Sequence, residues 1–123
     1  MENKTQRELE WKEPINIPDG IHKGTISKIE YRELPYQYTD VFIKMDDSDF
    51  EMKYGCPTLL SENSKLGRLL IAFGETFEKD KKSSPEKVLM NKKVEFMTLT
   101  KKSKKDDREY AEIVEDSIKP IKD

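Results

Sequence analysis

The chain has 123 residues, 39% of them charged and 34% hydrophobic, with a formal net charge of -2. That length supplies one domain rather than two. Five glycines and six prolines exclude a collagen-like or Pro/Gly-rich chain, and patterned apolar runs argue against wholesale disorder. A single cysteine, Cys56, excludes an intrachain disulfide and a thiol-ligated zinc centre within one chain. No run approaches the roughly 18 consecutive apolar residues of a membrane helix. Met1 to Glu10 holds no apolar signal segment. A cytoplasmic protein with no membrane partner is expected.

Met1 to Trp11 reads as a charged tail, and Trp11 either docks that arm on the domain or mediates self-association. Pro14 and Pro18 keep the backbone extended, and Asp19-Gly20 marks a turn. Ile21 to Arg32 is the first strand. Its apolar positions change parity between Ile26 and Ile29, which a β-bulge near Ser27-Lys28 would repair. Gly24 offers a second way for the strand to bend. Glu33 to Tyr38 is a connection. Thr39 to Met45 is the second strand, with Val41, Ile43 and Met45 on one face and Asp40, Phe42 and Lys44 on the other. Asp46 to Asp49 turns the chain into a third strand, Phe50 to Gly55, completing the clearest hairpin.

Asn63 or Ser64 to Phe73 predicts a helix. Leu66, Leu69, Leu70 and Phe73 share a face, and Gly74 is the stop. Ser84 caps a short second helix with Pro85 at its first position, reaching about Met90. Lys93 to Lys102 and Arg108 to Glu115 form the last two strands, joined by a polar turn from Ser103 to Asp107. Pro120 restrains the tail.

Three strands, a helical insertion and two more strands leave one substantial helix to cover a sheet. A curled barrel pairs the edges and buries one face of every strand. The expected fold is therefore an all-β, five-stranded OB-fold barrel with a helix between strands three and four. An SH3-like barrel and a three-layer α+β domain are the alternatives. An N-terminal arm spans 1–19 and the binding domain 20–123.

From Gly20 to Ile121 the chain resembles a family of small phage and archaeal OB-fold proteins described as single-stranded-DNA-binding. The resemblance rests on Gly20-Ile21-His22-Lys23-Gly24-Thr25-Ile26, Tyr38-Thr39-Asp40-Val41-Phe42-Ile43, Asn63-Ser64-Lys65-Leu66-Gly67-Arg68-Leu69-Leu70 and Asn91-Lys92-Lys93-Val94. It implies binding of single-stranded nucleic acid without chemistry.

The residues suggest how such binding would work. Lys92, Lys93, Lys101, Lys102, Lys104 and Lys105 bracket the fourth strand and could track a phosphate backbone. They equally suit a solvated hairpin tip. Lys23, Lys44 and Lys53 would extend the basic track, and Arg32 and Arg68 are further candidates. Phe42 would point outward to stack on bases, or lie covered by the arm or helix. Tyr36 and Tyr38 either stack or plug a barrel end. Tyr31 and Tyr54 suit partial burial, and Phe50 and Phe96 the core.

His22 and Cys56 lack a nearby activating partner, and no phosphate-binding glycine loop or dinucleotide fingerprint is present. Asp46, Asp47 and Asp49 do not complete a calcium loop. No enzyme activity, cofactor or metal is expected. The expected partner is single-stranded DNA. RNA, a protein partner bound through an OB-type interaction module in a phage or replication assembly, and homo-oligomerisation are the alternatives.

Overall fold

The parity conflict in the first strand is resolved by a bulge. In the computed structural model, which describes residues 7–11, 17–106 and 108–121, β1 (Gly20–Arg32) pairs with β2 (Tyr38–Met45). The register slips between Ile26 and Lys28. Ser27 is the extra residue, so Ile26 stays buried while Lys28 turns outward opposite Phe42. Expectations for residues 1–6, for Pro14 within 12–16, and for Asp107 lie outside the described residues.

β1 serves two neighbours. Gly24 to Arg32 pairs with β2, and Gly20 to Thr25 pairs with β4 (Lys93–Lys102). Gly24 lies where both ladders overlap. A β-carbon there would sit 2.5 Å from the Lys44 carbonyl oxygen and 2.8 Å from Ile43 Cγ2. Only glycine lets the β1 and β2 backbones approach this closely. β2 continues to β3 (Glu51–Pro57), and β4 to β5 (Glu109–Ile113).

The expected closed, five-stranded barrel is not what the chain forms. The sheet has six strands in the order β3-β2-β1-β4-β5, with β6 (Lys119–Pro120) pairing β4 beyond β5. Among the described residues all pairings are antiparallel, and no ladder joins β3 to β5. The sheet is open, and side chains span the gap instead. The Asp116 amide donates to the Tyr54 hydroxyl at 3.2 Å, and Arg68 reaches across from the helix to Glu115 and Asp116.

α1 (Lys65–Ala72) lies against this opening. Ser64 is its N-cap, accepting the Gly67 amide, and Gly74 follows its end at φ +100°. Leu66, Leu69 and Leu70 enter the core, where they join Ile26, Val41, Ile43, Met52, Tyr54, Cys56, Val94, Phe96, Ile113 and Ile118. Gly67 meets the preceding loop so closely that a β-carbon would overlap the Ser61 carbonyl. α2 (Pro85–Leu89) starts as expected at a Ser84 cap with Pro85 in its first turn, and it buries Leu89.

Candidate functional site

The expected nucleic-acid groove can be checked row by row across the sheet. On the outer face, Lys53, Phe42 and Lys28 form one row, and Glu51, Lys44, Thr25 and Lys93 form the next. Lys23, Glu95 and Lys119 form another. Lys102 faces Glu109, while Lys101 faces Tyr110. Lys92, Lys104 and Lys105 are exposed in loops. Carboxylates therefore interrupt the lysines along the ladders, and Lys28 also pairs with Glu30 at 3.7 Å. Opposite charges set side by side cancel the field that would hold a polyanion.

The aromatic half of that site is missing as well. Phe42 is half-buried and does point outward, but the Lys28 ammonium lies over its ring at 4.4 Å. Tyr38 is half-buried beneath the Arg32 guanidinium, 5.0 Å from its ring centre. Tyr36 is exposed in the connection. Among the described residues the rings form no cluster: the ring contact present is His22 with Phe96, and Phe96 is buried. Stacking of bases requires free ring faces in series. The open sheet, the interrupted lysines and the lack of clustered rings among the described residues together overturn single-strand binding through a basic groove with stacking aromatics.

Several other side chains have structural duties. Arg32 clamps the buried Asp40 carboxylate with bonds of 2.6 and 3.0 Å, and this bond holds the guanidinium pKa above its ordinary value. Arg68 is engaged in ion pairs rather than free for a basic track. Its bonds to Glu115 and Asp116 tie α1 to the turn between β5 and β6, and its bond to the Asn63 carbonyl holds the loop that leads into α1. Tyr54 is fully buried rather than partly so, and burial pushes its pKa up to about 12. Tyr31 is exposed, donating to Glu86 at 2.9 Å. Phe50 lies at the core margin.

Cys56 is completely buried, and desolvation pushes its thiol up to about 12. A thiol held neutral in this way is a poor nucleophile. His22 donates from its ring to the Pro18 carbonyl at 2.7 Å. Among the described residues, no three His, Cys, Asp or Glu side chains are placed to hold a metal ion. No helix among them is long and apolar enough to cross a membrane.

Sequence reasoning missed a different surface. Between Val94 and Leu99, β4 is apolar on both parities. Val94, Phe96 and Thr98 face inward, while Met97 and Leu99 face outward. Ile21 pairs directly with Met97, and Tyr110 of β5 lies diagonally beside Leu99. Exposure is 66% at Ile21, 39% at Met97, 41% at Leu99 and 47% at Tyr110. The four side chains form one apolar strip across β1, β4 and β5. Beside it, Ile21, Met97 and Val114, together with Glu95, Glu115 and Asp116, line a groove of about 290 Å³. Glu95, Lys101 and Glu112 rim the strip. The alternation Val94-Glu95-Phe96-Met97-Thr98-Leu99 was the available signal, because a half-buried strand would carry polar residues at Met97 and Leu99.

A second cleft, of about 110 Å³, lies between Leu60, Leu70, Ile71 and Phe77. Its wall is braced by Glu75, which accepts from Ser83 at 2.6 Å and from Lys81 at 3.1 Å. Those bonds hold the Glu75 carboxyl below its ordinary pKa. The network serves to fold the loop onto α1.

No protein-family model matches the chain, and no curated protein matches it. The open six-stranded sheet departs from the closed barrel implied by the resemblance to small phage and archaeal OB-fold proteins, and overturns it.

Proposed function

We propose that the chain is a non-catalytic protein-docking module whose working surface is the outer face of β1, β4 and β5. The observation that carries this reading is the set of Ile21, Met97, Leu99 and Tyr110, exposed on one face of neighbouring strands, with Ile21 opposite Met97, Glu112 opposite Leu99 and Lys101 opposite Tyr110. Scattered exposed apolar residues are ordinary, but a contiguous set with a polar rim is the usual form of a protein-contact surface. A tyrosine beside two flexible aliphatic side chains supplies the kind of anchor that dominates such contacts. The strands fix the backbone beneath these side chains, so little order has to be imposed on binding.

A displayed library of random peptides, selected against the intact protein, tests this reading. Enriched peptides should share apolar residues at alternating positions. Their binding should fall at least tenfold with the double variant Met97→Thr/Leu99→Thr and change little between low and high salt. A selection that enriches nothing, or enriches peptides indifferent to that double variant, contradicts the reading.

A further inference from the structure

Trp11 is the chain's sole tryptophan, and it is 98% exposed. Leu9, two residues before it, is also exposed. The apolar strip on β1, β4 and β5 stands open in the same molecule. One chain thus presents both an apolar arm and an apolar face, and its own fold buries neither.

The two surfaces match in spacing and in charge. Leu9 and Trp11 are separated by one residue, and so are Met97 and Leu99 on β4. An extended arm repeats its side chains every second residue, as a strand does. Leu9 and Trp11 can therefore lie along Met97 and Leu99 in step. Residues 7–11 carry two carboxylates against one arginine, whereas residues 101–109, just past the strip, carry five cations against three carboxylates. Among the described residues, Lys101, Lys102, Lys104 and Lys105 make no ion pair. The segment 7–11 thus carries a net charge of -1 and the segment 101–109 a net charge of +2, opposite signs that favour their meeting.

We infer that the strip receives the Leu9–Trp11 arm of a second copy of this chain, the two copies exchanging arms about a two-fold axis. This rests on the docking surface proposed above and names its occupant. A symmetric exchange fills both strips and both arms at once, and it closes as a dimer without propagating.

Trp11 emission reports the arm directly, because no other tryptophan contributes. Mass by light scattering and emission wavelength should be followed together over a wide concentration range, on the full chain. Arm exchange gives a doubled mass and a blue shift that grow together with concentration. Trp11→Ala and Met97→Thr/Leu99→Thr should each raise the dimer dissociation constant at least tenfold, with far-ultraviolet circular dichroism unchanged. A mass that stays monomeric with solvent-like emission overturns the inference. So does a blue shift independent of concentration, which places the arm on its own chain, and so does a dimer indifferent to Trp11→Ala. The peptide selection repeated on Trp11→Ala separates the two claims. Enrichment there with no dimer in the native chain leaves the docking surface standing and removes only its proposed occupant. No enrichment and no dimer removes both.

Discussion

Gly24→Ala probes the double pairing of β1 most sharply. The new β-carbon would lie 2.5 Å from the Lys44 carbonyl oxygen and 2.8 Å from Ile43 Cγ2. The first contact is about 0.9 Å short of ordinary van der Waals distance. Its obstacle is backbone, held by the Gly24–Met45 and Thr25–Lys44 pairs on one side and by Gly24–Val94 on the other. Neither ladder can retreat without losing register. Overpacking of this kind costs about 1–3 kcal/mol. Against it, alanine narrows the unfolded ensemble by about 0.4–1 kcal/mol. The steric term wins, leaving a net loss of about 1–2 kcal/mol. For a domain of this size that lowers Tm by roughly 3–10 °C. Thermal and urea unfolding followed by circular dichroism read the change, with the urea slope unaltered. A Tm at or above that of the parent chain refutes the argument that close approach, rather than chance, placed glycine there.

Further outcomes follow from other sites. Phe96→Ala should cost about 3–5 kcal/mol, seen as a lower urea midpoint; an unchanged midpoint contradicts its place in the core. Ser64→Ala removes the acceptor for the Gly67 amide and should cost about 1 kcal/mol; helix loss without a fall in Tm, or no change at all, contradicts the cap. Cys56 makes stability fall with alkali. Its folded thiol sits at about 12 against an ordinary 9.0, so between those values the unfolded chain has already released the proton that the folded chain keeps. Stability is thus fully retained below pH 9 and declines as pH rises toward 12, with Tyr54 adding to the decline above its ordinary 10.0. Urea midpoints between pH 8 and 11 should fall less steeply for Cys56→Ala, and equal slopes contradict the burial effect.

Local features were legible in the sequence because local chemistry specifies them. The parity change in β1 marked the bulge, the alternation of Val41, Ile43 and Met45 marked an inward face, and Ser64 with Gly74 bounded α1. Closure was not legible, because it depends on whether two edges distant in sequence meet. Here Arg68, Glu115, Asp116 and Tyr54 bridge the gap with side chains, and no periodicity announces such a bridge. β6 is two residues long and includes Pro120, too short for a pattern. The charge pattern of the outer face was hidden for a related reason. Lysine counts along the chain ignored what stands opposite each one, and only the register places Glu95 against Lys23, Glu51 against Lys44 and Glu109 against Lys102. Phe42 was correctly turned outward, but the lysine over its ring comes from the far side of the bulge.

The outer side chains of β4 stand at the centre of the proposed contact surface. Calorimetric titration of a peptide from the display selection into the native chain, and into Met97→Thr/Leu99→Thr at matched Tm, measures their contribution. A loss of affinity of tenfold or more, nearly the same at low and high salt, is the expected result. Equal affinity for both proteins, or affinity that vanishes with salt while the double variant binds normally, would place the interaction elsewhere.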